Sequence, residues 1–200
     1  MNPTPVLPRR AVLSVLAAAV AAGTLAGCGQ EKPKFQSIDL TGADYAKDFR
    51  LTDHHGQARS LQDFRGKVVV VFFGFTQCPD VCPTALLELA EVRRQLGADG
   101  DKVQGIFITV DPERDTPAAL KDYLSSFDPR ISGLSGARAE VDAALKAYRV
   151  YAKKQPQENG EYSMDHSAII YLMDKQGRFV NALNMQQPPE AVAREIQRQM

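Results

Sequence analysis

The chain has 200 residues, with 24 basic and 24 acidic side chains and therefore no formal net charge. That length provides one domain of ordinary size. It has no basic stripe, which excludes nucleic acid as a partner, and its three cysteines are too few for a four-thiolate zinc site.

The first 27 residues read as a processing segment. Arg9-Arg10 forms a positive n-region, and residues 11–22 form an apolar stretch shorter than the roughly 20 residues a bilayer span needs. Leu25-Ala26-Gly27-Cys28 then matches the lipobox of bacterial lipoprotein signals. The predicted organisation is a lipoprotein signal peptide over 1–27, a tether over 28–45 that begins with lipidated Cys28, and a folded domain over 46–200. Removing residues 1–27 takes out two arginines and no acid, leaving a charge of −2. The expected location is the bacterial cell envelope, membrane-anchored through the lipid and facing the periplasm. Cys78 and Cys82 are then the remaining thiols. Outside the cytoplasm they are oxidised by default, so a working dithiol requires a reducing partner.

Along the domain, residues 49–61 alternate about Asp53-His-His-Gly56, which predicts a β-hairpin. Residues 61–66 form a turn into a strand over 67–75, whose β-branched and aromatic run suits burial on both faces. A helix is predicted over 83–96, with Pro83 in its first turn and Gly97 at its end. A second buried strand covers 103–110. Thr116 and Pro117 are N-cap and first residue of a helix to about Phe127. A further helix spans 138–148. Residues 162–165 lead into a third strand over 168–173, which pairs across the turn Asp174–Gly177 with a strand over 178–183. A helix over 188–199 closes the chain. This order is the thioredoxin-like arrangement, an α/β fold with a mixed sheet flanked by helices and an N-terminal β-hairpin extension.

The chemistry concentrates where the first buried strand ends. Cys78 and Cys82 are four residues apart at a helix N-terminus, where unpaired N–H groups and the dipole favour thiolate. Four helical residues climb about 6 Å, within the roughly 4.4–6.8 Å Cα separation a disulfide accepts. The same spacing lets two sulfurs converge on one soft metal. Redox exchange and thiolate metal binding, for which two thiolates suit Cu(I), are therefore both open. In a thioredoxin-like chain the segment before the third strand lies against the dithiol and normally carries a cis-proline. Here it is Met164-Asp165-His166-Ser167. A histidine there supplies an imidazole to the two sulfurs, with Asp165 as a candidate to orient its ring.

With these residues assembled, the sequence resembles the Sco (SenC/PrrC) family of copper-binding assembly factors of cytochrome c oxidase. The resemblance is carried by Gly74-Phe-Thr-Gln-Cys78-Pro-Asp-Val-Cys82-Pro-Thr84, Val110-Asp111-Pro-Glu-Arg-Asp115-Thr116-Pro117 and Asp165-His166-Ser167. It covers residue 49 to the C-terminus; Gln77 stands where many relatives carry His. It implies that Cys78, Cys82 and His166 bind one copper per chain as Cu(I) or Cu(II). It also implies delivery to cytochrome c oxidase subunit II or a similar copper protein, with a periplasmic copper donor and a thioredoxin-like reductant as further partners. The second reading is a thiol–disulfide oxidoreductase in which Cys78 and Cys82 reduce the cysteines of a copper protein. A peroxiredoxin-like site is echoed only by Thr76. Among other candidates, His54 and His55 are expected to meet solvent in a turn, Met173 to lie in the core, and Met164 to stand near His166. Asp80 is expected at a turn, and Asp111, Arg114 and Asp115 on the rim of the site.

Overall fold

The structure, a computed structural model, describes residues 42–158 and 160–200. Cys28, the expected signal peptide and most of the expected tether lie outside them. The strand at the centre is β3, Val68–Gly74, all seven residues of which are buried. Because side chains alternate across a strand, β3 serves two cores. Val68, Val70 and Phe72 belong to one cluster, while Val69, Val71, Phe73 and the following Phe75 belong to the other.

Around it the chain forms β1 (Arg50–Asp53), β2 (Ala58–Ser60), α1 (Val81–Gln95), β4 (Val103–Thr109), α2 (Pro117–Ser125), β5 (Ser132–Ser135), α3 (Arg138–Tyr148), β6 (Ala152–Pro156), β7 (Tyr162–His166), β8 (Ile170–Met173), β9 (Phe179–Leu183) and α4 (Pro189–Gln197). The main sheet runs β2-β1-β5-β4-β3-β8-β9. β3 pairs parallel with β4 from Val68↔Val103 to Gly74↔Thr109, and antiparallel with β8 from Val69↔Met173 to Phe72↔Ile170. The fold is the expected mixed sheet. One face is covered by α1, α2 and α4 through Leu86, Leu89, Leu120, Leu124, Val192 and Ile196. The other is covered by α3 through Val141, Leu145 and Tyr148. There Phe73, Tyr148 and Tyr171 pack ring on ring at centroid distances of 5.1 to 6.0 Å, and the Tyr171 hydroxyl donates to the Tyr148 carbonyl at 2.7 Å. Among the described residues, no helix is long and apolar enough to cross a membrane.

Three local differences from the sequence-based expectation have physical reasons. α1 begins at Val81 rather than Pro83, with Asp80 at the N-cap. A proline in the first turn costs no hydrogen bond because those N–H groups have no helical acceptor, so Pro83 permits an earlier start. β5, Ser132-Gly-Leu-Ser135, was not expected as a strand: it has no β-branched residue and is ordered by pairing with β4 and β1. Tyr162–His166 is a strand rather than a lead-in. It pairs with β6 from Ala152↔His166 to Pro156↔Tyr162 in a two-stranded sheet of its own.

The β1–β2 turn uses its histidines structurally. The His54 N–H donates to the Gly133 carbonyl at 2.9 Å, and the Gly133 N–H donates to the His54 Nδ1, also at 2.9 Å. A nitrogen that accepts cannot carry a proton, and burial, followed by the neighbouring His55, holds the imidazole below its ordinary value. The unfolded chain therefore binds a proton near pH 6.5 that the folded chain does not, so stability falls as pH drops through and below that value. Urea midpoints at pH 7.5 and 5.5 test this: the drop in the wild type should exceed that in His54→Gln.

Candidate metal and redox site

The site lies at the C-terminal end of β3, in the loop that leads to α1. Gly74 ends the strand, and an added Cβ there would stand 2.8 Å from Cys82 Sγ and 2.8 Å from Phe107 Cε2. The glycine is what lets the Cys82 sulfur lie against the strand backbone. Cys82 is the second residue of α1 and is fully buried; Cys78 is partly exposed.

The two thiols share a hydrogen bond, and their environments push their ionisation apart. The bond from the Cys82 side chain lowers Cys78 to about 5; the N–H groups of Cys82 and Asp80 assist and burial opposes. Cys82 is pushed up, first by donating to Cys78 and then by burial. At neutral pH the pair is a Cys78 thiolate accepting from a Cys82 thiol. The expectation that the helix N-terminus favours thiolate at both sulfurs is corrected: Cys82, on α1 itself, is pushed up, and Cys78, which precedes α1, is lowered first by the Cys82 side chain.

His166 ends β7. Its ring stands edge-on to Phe75, with centroids 5.7 Å apart, and its charge is among the influences that lower Cys78. Nδ1 lies 3.4 Å from the Met164 carbonyl, and Nε2 is buried without a hydrogen-bond partner. A buried ring nitrogen left unpaired is costly, and a metal ligand is one of the few roles that compensates it. Two sulfurs and an imidazole form a donor set that copper accepts in both oxidation states. The residues thus fit the metal chemically. They are not drawn into a closed set: among the described residues no three His, Cys, Asp or Glu side chains surround one point in ligating geometry.

The loop between β4 and α2 supports the site. Asp115 is buried and accepts from the Thr76 N–H at 3.1 Å, the Thr76 hydroxyl at 2.6 Å and the Thr109 hydroxyl at 2.5 Å. Burial raises this carboxyl despite those bonds. Asp111, also buried, accepts from Arg114 Nε at 2.5 Å and from the Tyr162 hydroxyl at 3.0 Å. Asp111 and Asp115, expected on the rim of the site, lie beneath its surface: Thr76 and Thr109 bond Asp115, and Arg114 and Tyr162 bond Asp111. Asp165 does not orient the imidazole; it is exposed, and the ring meets the Met164 carbonyl instead. Met164 is in the core with Met173, and Cys78 packs against the same cluster. Asp80 occupies the N-cap position of α1, exposed and without a side-chain capping bond. Sequence reasoning missed Tyr123, whose phenol is buried with no hydrogen-bond partner and is pushed up first by burial and then by the nearby thiols. Its helical spacing to Leu120 and Leu124 marked it only as a residue beside a buried face.

The SCO1/SenC family model matches residues 39–200, which takes in every described residue. The chain belongs to the SCO1/SenC family. This SCO1/SenC chain is 45% identical over 154 residues to a mouse protein, "Protein SCO2 homolog, mitochondrial", an alignment that covers 76% of this chain and 60% of that protein. It thus spans about 60% of the length of that curated relative. Among solved structures, Bradyrhizobium japonicum ScoI with copper bound is 53% identical, with a TM-score of 0.74, over 78% of this chain and 99% of that one. Yeast Sco1 with copper bound is 39% identical with a TM-score of 0.71, over 78% of this chain and 87% of that one. The SCO1/SenC fold is thioredoxin-like, with a dithiol loop and no cis peptide among the described residues.

The split between the thiols has a direct signature. Iodoacetamide should label Cys78 in the reduced native protein with a half-maximal rate near pH 5, read by mass spectrometry of the digested product. Cys82 should stay unlabelled until denaturant is added. Equal labelling of both cysteines, or a Cys78 profile centred near the ordinary thiol value of about 8.5, would contradict the assignment.

Proposed function

We propose that this chain is a copper-delivery protein that holds one copper, as Cu(I) or Cu(II), through Cys78, Cys82 and His166. The observation that carries the reading is the presence of three features around the loop that follows β3. These are a partly exposed Cys78 thiolate, a buried Cys82 thiol bonded to it, and a buried imidazole nitrogen with no partner. The copper-bound relatives support the choice of metal. Copper is the cargo. Cys78, already ionised and reachable, meets it first; Cys82 must lose its proton to join, so uptake releases a proton and weakens as pH falls. His166 adds the nitrogen that lets the site hold Cu(II) as well as Cu(I). The recipient in this reading is a binuclear copper site such as that of cytochrome c oxidase subunit II, reached by exchange of thiolate ligands. A copper donor and a thioredoxin-like reductant keep the site loaded and reduced. Lipidation at Cys28 would hold the domain at the membrane on the periplasmic side; the tether, expected over 28–45, would end before Ala43, because Ala43 and Tyr45 pack against the core.

The asymmetry of the thiols favours one second reading, a thiol–disulfide oxidoreductase. In it the Cys78 thiolate attacks a disulfide sulfur of the client and releases a client thiolate. Cys82, once deprotonated, attacks Cys78 and releases the second client thiolate, leaving a Cys78–Cys82 disulfide for the reductant to restore.

Copper titration of the reduced fragment 30–200 beside Cys78→Ser, Cys82→Ser and His166→Ala tests the first reading, with metal analysis for stoichiometry and visible absorption for Cu(II)–thiolate charge transfer. One tightly held copper, lost with either cysteine, is expected; His166→Ala should alter or remove the Cu(II) band. A reduced wild type with no copper above background would sink the delivery reading. The same His166→Ala protein separates the alternatives in a disulfide-reduction assay, because the oxidoreductase chemistry needs no imidazole and should survive largely intact.

A further inference from the structure

His166 is carried by the β6–β7 hairpin, which shares no strand pairing with the main sheet. A lone two-stranded hairpin is marginally stable in water, and residues 153–156 of β6 are exposed. Met164 in the core and Phe75 against the imidazole anchor the hairpin by packing, and a directional contact is still needed to fix it relative to the Cys78 loop.

Arg114, in the loop between β4 and α2, makes the connections that do so. Its Nη1 donates to the Tyr162 carbonyl at the start of β7, at 2.9 Å, and to Gln77 Oε1, next to Cys78, at 2.8 Å. Its Nε is bound to buried Asp111, and its guanidinium lies 3.7 Å from the centroid of the Tyr162 ring. The Tyr162 hydroxyl returns to the same Asp111 carboxylate, which closes the loop of contacts. The Arg114 side chain is only 17% exposed and that of Asp111 not at all, so the bond between them is shielded from water, whereas the bond to Gln77 is exposed. Nearby Lys154–Glu113 is an exposed pair of the kind that contributes little.

We propose that Arg114 is a positioning residue that straps the His166-bearing hairpin to the Cys78 loop, and so sets whether the imidazole can join the two sulfurs. The proposal rests on the copper reading above. A planar guanidinium suits this role because it offers separate N–H directions to a carboxylate, an amide oxygen and a carbonyl while stacking on a ring, which an ammonium does not. Cu(I) is satisfied by two thiolates, whereas Cu(II) draws on the imidazole. Loss of the strap therefore falls on Cu(II) far more than on Cu(I).

The test uses purified wild type, Arg114→Ala, Arg114→Lys, Tyr162→Phe and, as a control, Glu113→Gln. In the reduced, metal-free proteins, amide hydrogen exchange is followed in β6–β7 and in β3–β4. In Arg114→Ala, hairpin exchange should quicken by about tenfold or more, with β3–β4 unchanged. Copper titration of the same protein should still give one Cu(I), with Cu(II) retention reduced by about tenfold or more. Arg114→Lys should be intermediate. Tyr162→Phe, which keeps the ring and loses only the Asp111 bond, should shift both readouts in the same direction by less, and it serves if Arg114→Ala does not fold. Glu113→Gln should match wild type. Unchanged hairpin exchange in Arg114→Ala and Tyr162→Phe, or parallel loss of Cu(I) and Cu(II), would overturn the proposal. A wild type that holds neither ion overturns the copper reading and with it the ligand-positioning role; the metal-free exchange data tell that failure apart from a missing strap.

Discussion

β3 imposes the constraint on which the rest depends. Seven consecutive residues without a charged or hydrogen-bonding side chain must be hidden on both sides, and a strand hidden on both sides needs a layer of helix above and below. That requirement accounts for the two separate cores, and for the tight passage at Gly74 where the chain leaves the sheet and turns into α1. Polar chemistry finds room only at the strand's end, and the dithiol stands there.

Within the site, surroundings rather than residue type separate the two cysteines, first the hydrogen bond between them and then burial. They are the same group at the same end of the same helix. One sulfur lies against the Gly74 backbone with no water around it, and the other is in partial contact with solvent. The hydrogen bond between them turns that difference of environment into a difference of charge, with the outer sulfur ionised and the inner one holding the proton. The carboxylates beneath the loop play a different part. Asp115 and Asp111 spend their lone pairs on Thr76, Thr109, Arg114 and Tyr162, and so hold the segments that carry the site.

Much of this was legible in the sequence, where local pattern and final environment agree. The run of residues 68–75, the helical spacing from Leu86 to Val92 and the Thr116-Pro117 start of α2 all placed elements within two or three residues. Cys78 and Cys82 announced themselves by spacing, and His166 by its place ahead of the third strand. What stayed hidden depends on partners distant in sequence. β5 has no strand-like composition and is made a strand by β4 and β1. β6, Ala152-Lys-Lys-Gln-Pro156, lacks an apolar face because it lies outside the main sheet. The burial of Asp115 cannot be read from Asp111-Pro-Glu-Arg-Asp115, since an acidic loop looks the same whether or not threonines from two other segments close over it.

The separate hairpin also bears on how such a domain can diversify. Its backbone bonds are satisfied within itself, so changes in its length or in the exposed Lys153-Lys-Gln-Pro156 edge leave the ladder of the main sheet untouched. The exposed edge of β6 is the part of the hairpin free to vary, since β7 carries Met164 into the core and Tyr162 to Arg114. A lineage could rewrite that handful of surface positions while inheriting the core unchanged.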